Sequence, residues 1–438
     1  MLLKEMGSLA LLGGEPLARQ RAFPRDLTTI PSERMRDVRE VLRSGHWSMF
    51  TSKEVRNFES EFADYIGAKH VIFVNSCTTA LLSCLLAIDI RAEMMVAVPD
   101  YTYIGSCMPV ITIGAIPVIV DIDPLTQSIC PKSLREAFSQ YDIRAVIHPH
   151  LFGRSSLANE ISSICKDNGA AYISDCAQLL GDRGQTEMLT EFGPTCFSFG
   201  ESKILRIGEG GAVATNDDSF AERVRQARHE GETWLRVGAS RHGELCITAN
   251  DVISGLASTS LGLNFRPMAI AGAIGRAMLP EVPARLNRCK ENADILSAEM
   301  KHMGCFDADR GGRRTWWTYP VLIKEGHFSR DVFLAALLAE GVPVGVHFPR
   351  LISSHPIVSS RFRSTAECRK GAKAFSDLHF VLPIYPTLQP YHMKLITKCI
   401  AKVISSSALY GGRIEQKAQS YLNRVEVKDL CDGLFLFV

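Results

Sequence analysis

Between residues 70 and 174, five short apolar runs rich in Val and Ile, at 70–74, 94–98, 117–120, 145–148 and 171–174, alternate with stretches of helical spacing at 79–89, 132–139 and 157–168. Short β-branched strands separated by helices lead to a mostly parallel sheet with helices on both faces, an α/β architecture. Two further runs, 196–199 and 212–215, are placed to complete the sheet around a turn that holds Lys203. Ligands of such sheets lie beyond the carboxyl ends of the strands, where Asn75, Pro99 and Asp175 stand.

The flanking segments differ. Residues 1–30 are punctuated by Gly13-Gly14-Glu15-Pro16 and Pro24 and read as an arm lying over the body. A helix over 31–43 stops near Ser44-Gly45, and another covers 55–65. Beyond Arg266 a long helical stretch runs to about Lys301, followed by a strand at 318–323 and helices at 330–340 and 393–407, which together suit a smaller α+β domain. The expected organisation is an arm (1–30), a large domain (31–280), a small domain (281–408) and a tail (409–438) ending in Leu434-Phe435-Leu436-Phe437-Val438. The length of 438 residues fits two packed domains.

Composition narrows the functional classes. The net charge of +2 arises from interspersed Lys, Arg, Asp and Glu, with no basic block that would follow a nucleic-acid backbone. The 13 cysteines are scattered without zinc-type pairs and mostly sit in apolar runs, which reads as reduced, buried thiols of a cytoplasmic protein with no metal site. No apolar stretch reaches the roughly 20 residues that span a bilayer, and no secretory leader pattern opens the chain.

The chemistry concentrates around Lys203, in Phe197-Ser198-Phe199-Gly200-Glu201-Ser202-Lys203, with Ser174-Asp175-Cys176-Ala177-Gln178 upstream. An amine nucleophile after a short apolar strand, preceded by a strand-end acid, is the equipment for holding pyridoxal phosphate (PLP) as a Schiff base. Asn75-Ser76-Cys77-Thr78-Thr79 links a strand to a helix, so its N–H groups and hydroxyls face an anion at a helix N-terminus.

From about Leu12 to Ile404 the chain resembles the DegT/DnrJ/StrS family of fold-type I PLP aminotransferases, nearest the branch containing glutamine:scyllo-inosose aminotransferase and 3-amino-5-hydroxybenzoate synthase. Ser44-Gly45-His46-Trp47, Asp175-Cys176-Ala177-Gln178 and Gly208-Glu209-Gly210-Gly211 carry the narrower likeness. The resemblance implies Lys203 as the Schiff-base lysine and proton shuttle, and Asp175 as partner of the pyridinium nitrogen. It also implies Gln178 near the ring oxygen and Thr78, Thr79 and Ser198 at the phosphate. Tyr103, in Pro99-Asp100-Tyr101-Thr102-Tyr103, would stack on the cofactor. Asn264, in Asn264-Phe265-Arg266, would reach the phosphate of a neighbouring subunit, which requires a homodimer with shared active sites. Cys77 stands where the family usually has Gly or Ala, and the residues after Arg266 depart from its pattern.

The implied activity is transfer of an amino group from glutamine or glutamate to a cyclic ketone, in two half-reactions with ping-pong kinetics. His150, Trp47, Trp316 and Trp317 are candidates for the substrate pocket or for packing. His347 and Arg350 are candidates for a donor carboxylate or an ordinary surface pair. Two alternatives stand beside this reading: a nucleotide-linked keto-sugar as acceptor, for which no Lys/Arg cluster is evident, and a PLP-binding regulatory protein without turnover.

Overall fold

The computed structural model describes residues 8–18, 22–24, 29–181, 183–232, 258–307, 314–365, 370–406 and 412–424. The apolar end of the tail lies outside the described residues. The chain divides into two compact units, one of residues 29–283 and 350–372, the other of 1–28, 284–349 and 373–438.

The unit of residues 29–283 is built on an eight-stranded sheet. Its strands are β1 (His70–Val74), β2 (Met95–Pro99), β3 (Ile116–Val120), β4 (Ile143–Pro149), β5 (Ala171–Cys176), β6 (Thr195–Ser198) and β7 (Gly211–Thr215), with the two-residue strand Arg363–Ser364 at one edge. The spatial order is β1, β7, β6, β5, β4, β2, β3, then Arg363–Ser364. Only β7 runs antiparallel to its neighbours, β1 and β6; the other pairings are parallel. The strands are buried almost throughout because both faces are covered, which explains their near-continuous Val/Ile/Ala runs.

Helices α1 (Met35–Ser44), α2 (Glu54–Ile66) and α3 (Cys77–Ala87) follow from local signals. Gly45 (φ 72°) ends α1 and Gly67 (φ 75°) ends α2, conformations that an L side chain rarely adopts. On α2, Phe58 and Phe62 share a face at i, i+4 and pack against Phe73, Phe197 and Phe199 with ring centroids 5.0–5.5 Å apart. The expected long helix after Arg266 is two helices, Ala269–Met278 and Val282–Met300, joined by a single 3-10 turn. Pro280 and Pro283, which lack a backbone N–H, account for the interruption. Helices Arg183–Phe192 and Asp218–Arg228 were not expected.

The segment 350–372 packs with this unit through two buried carboxylates. Asp100 accepts from the N–H and hydroxyl of Ser353 (2.7 and 3.0 Å), and Asp121 accepts from the N–H groups of Gly371 and Ala372 (both 2.8 Å).

The other unit holds a three-stranded antiparallel sheet of Phe306–Asp307, Tyr319–Ile323 and His379–Leu382. Helices Arg330–Ala339, Pro390–Ser405 and Gly412–Leu422 cover it, burying Phe333, Leu337, Phe380, Ile396, Ile400, Ile414 and Ala418 in one core. Within that core Lys402 Nζ bonds to Glu340 Oε1 at 2.8 Å. The Glu340 carboxylate also accepts from the N–H groups of Ala10 and Leu17 (both 2.9 Å), and Lys402 donates to Glu15 O (2.9 Å). The N-terminal segment is thus tied to this unit by a buried ion pair.

Candidate active site

The carboxyl ends of β1, β2, β5 and β6 converge on the first turn of α3. Ser76 caps that helix: its Oγ accepts from Thr79 N–H (3.2 Å), while Ser76 N–H donates to Thr79 Oγ1 (3.2 Å). Thr79 Oγ1 also donates to Asn75 Oδ1 (2.7 Å), so its hydroxyl is engaged within the turn. Thr78 Oγ1 points elsewhere, toward Gly105, where an added Cβ would lie 3.1 Å from it. The N–H groups of Cys77 and Thr78 belong to the helix's first turn and have no intrahelical acceptor. Gly211, at the start of β7, allows this turn to sit where it does: a Cβ there would lie 2.3 Å from Ser76 C and 2.4 Å from Cys77 N.

Asp175, near the end of β5, is only 5% exposed. Its Oδ2 accepts from Ser106 Oγ (2.6 Å), and its Oδ1 accepts from Ala177 N–H (3.0 Å) and Cys77 Sγ (3.8 Å). Burial pushes its pKa up; the Ser106 and Ala177 hydrogen bonds, the charge of Lys203 and the Cys77 thiol pull it down. Lys203 lies in the turn between β6 and β7, its N–H bonded to Gly200 O (3.0 Å). Burial brings its amine down to about 8, against upward pulls from Cys77 and Asp175. An amine near that value deprotonates easily enough to attack a carbonyl and to move protons at neutral pH.

Tyr103 is 43% exposed, its ring beside Gly105: a Cβ at that glycine would come within 2.7 Å of the ring. Gln178 is buried and accepts from Phe152 N–H (2.6 Å), holding the loop after β4 in which Phe152 takes a left-handed conformation (φ 55°). Ser198 ends β6, its Oγ 3.8 Å from where a Cβ on Gly200 would stand. Asn264 is exposed and accepts from Arg266 N–H (3.4 Å), while Phe265 O accepts from Asn75 N–H (3.1 Å), setting the segment against the end of β1. Arg266 in turn bonds to His229 and to Glu230 (2.8 Å). His229, Glu230 and Glu232 bring ligand-type atoms within 4.8 Å of one another, with the Arg266 guanidinium bonded into the group.

The substrate candidates separate. His150 is buried beside Asp175, whose carbonyl accepts its N–H (2.9 Å); burial lowers its imidazole to about 4, so it stays neutral. Trp47 is exposed. In the other unit Trp316 stacks on Tyr319 (5.3 Å), and Trp317 packs on His347 (4.8 Å). His347 is 4% exposed, so it is no surface residue; Arg350 is exposed.

Sequence reasoning missed Ser106 and Gly211 as individual residues and the contact of Cys77 with Asp175. Each acts through a partner 69 to 135 positions away, which no local spacing encodes. Of the ten cysteines described, none is disulfide-bonded, and Cys84 and Cys196 stand 3.5 Å apart as thiols. Among the described residues no helix is long and apolar enough to cross a membrane.

Pyridoxal phosphate needs an amine, an acid for its ring nitrogen, an anion site and a flat apolar face. Lys203, Asp175, the first turn of α3 and the Tyr103 ring beside Gly105 offer these at one group of strand ends, and the residues fit the group.

The profile of the DegT/DnrJ/EryC1/StrS aminotransferase family matches residues 28–401. The chain is 28% identical over 391 residues to L-glutamine:2-deoxy-scyllo-inosose aminotransferase of Streptomyces paromomycinus, covering 86% of this chain and 89% of that protein. It is 30% identical over 307 residues to GDP-perosamine synthase of Caulobacter vibrioides, covering 68% and 76%. The structure of DesI in the presence of its TDP-sugar product superposes with a TM-score of 0.76 at 22% identity, covering 94% of this chain and 98% of that one. With the profile spanning most of its length, the chain belongs to the DegT/DnrJ/EryC1/StrS aminotransferase family and is a PLP-dependent aminotransferase.

Proposed function

We propose that the protein transfers an amino group from L-glutamine or L-glutamate to a cyclic ketone, a keto-cyclitol or keto-sugar, in the biosynthesis of a secondary metabolite of the aminocyclitol or amino-sugar antibiotic type. The observation that carries this reading is the placement of Lys203, in the turn after β6, and the buried acid Asp175, near the end of β5, at one group of strand ends, in a chain alike to a glutamine-dependent cyclitol aminotransferase over most of its length.

Bound PLP supplies the electron sink for labilising the donor's Cα–H bond. The protein's own residues do the rest. Lys203 would hold the cofactor, and its amine would take the proton from the donor Cα. Asp175 would keep the ring nitrogen protonated through a charge-assisted hydrogen bond. The N–H groups opening α3, with Thr78 and Ser198, would hold the phosphate at the positive end of the helix, the hydroxyl of Thr79 being engaged in the capping turn beside it. Tyr103 would cover one face of the ring, and Gln178 would lie near its oxygen.

Asn264 serves the site of a second copy of this chain. Leu261, Leu263, Met268 and Trp47 are all more than half exposed around that segment, and Trp47 O accepts from Ala269 N–H (2.8 Å), apolar surface that a homodimer would cover. The domain limits at 30, 280 and 408 and a cytoplasmic location belong to the same proposal.

The test is the absorption spectrum of the PLP-loaded protein before and after L-glutamine, then L-glutamate, followed by a cyclic ketone. Conversion of the cofactor by one donor and its restoration by a keto-cyclitol is the expected result. Restoration only by a nucleotide-linked keto-sugar would favour the second reading, which the likeness to GDP-perosamine synthase supports. Failure of every donor would leave a PLP-binding protein without turnover.

A further inference from the structure

We infer that Ser106, backed by Thr102, is a positioning residue that aims and holds the Asp175 carboxylate, an inference that rests on Asp175 being the partner of the cofactor's ring nitrogen. Ser106 Oγ lies 2.6 Å from Asp175 Oδ2, a length typical of a hydroxyl donating to a carboxylate. An ionised carboxylate only accepts, so the Ser106 proton is committed to it. Thr102 Oγ1, 3.1 Å from Ser106 Oγ, must then be the donor to Ser106. The relay therefore has one direction, Thr102 to Ser106 to Asp175, and each link polarises the next.

Water does not replace these contacts: Thr102 and Ser106 are each 2% exposed. Ser106 closes the 3-10 turn Ile104–Ser106, and its N–H bonds to Tyr103 O (3.0 Å). One short turn thus carries both the exposed Tyr103 ring and the residue that orients the acid. The other titratable groups around Asp175 are Lys203 from the turn after β6, Cys77 from α3, Cys176 on its own strand, Cys196 from β6 and the neutral His150 from the loop after β4. Burial pushes the three thiols up and keeps them neutral, so Lys203 is the charge among them.

The experiment compares wild type with Ser106→Ala, Ser106→Thr, Thr102→Val, Asp175→Asn and the Ser106→Ala/Asp175→Asn double variant in the full chain. PLP affinity and the pH midpoint of the bound cofactor's absorption band are measured for each. Ser106→Ala is expected to weaken PLP binding about tenfold and move the midpoint by about one unit, as for a lost hydrogen bond to a charged group. Ser106→Thr retains the hydroxyl and should restore both, and Thr102→Val should move the midpoint in the same direction by less. On top of Asp175→Asn, Ser106→Ala should add nothing. If Asp175→Asn moves the midpoint while Ser106→Ala and Thr102→Val do not, or if the effects of Ser106→Ala and Asp175→Asn add in full, the inference is overturned and the Asp175 reading survives. An unchanged band in Asp175→Asn would overturn the Asp175 reading and this inference with it.

Discussion

Each of the two units holds a lysine with a carboxylate nearby, Lys402 fully buried and Lys203 half-buried, and the two arrangements differ in how the charges are satisfied. Lys402 and Glu340 bond to each other at 2.8 Å with side chains 2% and 0% exposed, and their remaining valences go to the backbone of residues 10, 15 and 17. At the strand ends, Asp175 is instead satisfied by neutral donors, Ser106, Ala177 and Cys77, while burial brings the Lys203 amine down to about 8. A buried ion pair saturated by its neighbours holds chain segments together. A buried amine whose desolvation outweighs its attractions is prepared for covalent and proton-transfer chemistry.

Breaking the reactive member of this comparison should have the largest effect. Lys203→Ala is expected to slow conversion of the cofactor by an amino donor about a thousandfold or more, because capture and proton transfer are both lost. Single-turnover absorption measures it, with the unfolding midpoint expected to hold. The converse applies to Glu340→Gln, which leaves Lys402 buried without its charge partner. It should cost about 3–5 kcal/mol in urea unfolding, with the rate per folded molecule unchanged.

A smaller effect sharpens the geometry around the site. Gly211→Ala would place a Cβ 2.3 Å from Ser76 C, forcing the cap of α3 to move. A stability loss of about 1–3 kcal/mol is expected by thermal unfolding, together with weaker PLP binding, since the displaced turn is the proposed phosphate site.

The mildest test is a pH titration of the cofactor-free protein. Labelling of Lys203 by a small aldehyde and reductant, read by peptide mass spectrometry, should rise through a midpoint near 8. Lys290, raised by its partner Asp294, should label only at higher pH. Between about pH 8 and the ordinary lysine range the unfolded chain binds more protons at Lys203 than the folded chain does. The contribution of this group to the stability of the cofactor-free protein therefore rises with pH across that window.

Much of the large unit was legible because its strands are buried on both faces and read as uninterrupted Val/Ile runs. The seven main strands fall within two residues of their expected limits. The strand-end positions of Lys203 and Asp175 were legible because a strand followed by a reactive side chain is a local pattern. Helix Asp218–Arg228 escaped notice although Asp217 caps it through Phe220 N–H (2.8 Å), since few of its residues are apolar. His347 offered no local sign of burial; its ring is covered by Trp317, 30 positions earlier. Discontinuity was invisible too: residues 350–372 join the large unit through Asp100 and Asp121, contacts spanning some 250 positions.

The most direct measurement is to reduce the PLP-loaded protein with borohydride and map the modified peptide by mass spectrometry. The expected result is the cofactor on Lys203 alone, with Lys402 unmodified. Attachment at another lysine, or none in a protein that binds PLP, would contradict the division of Lys203 and Lys402 into a reactive and a structural lysine.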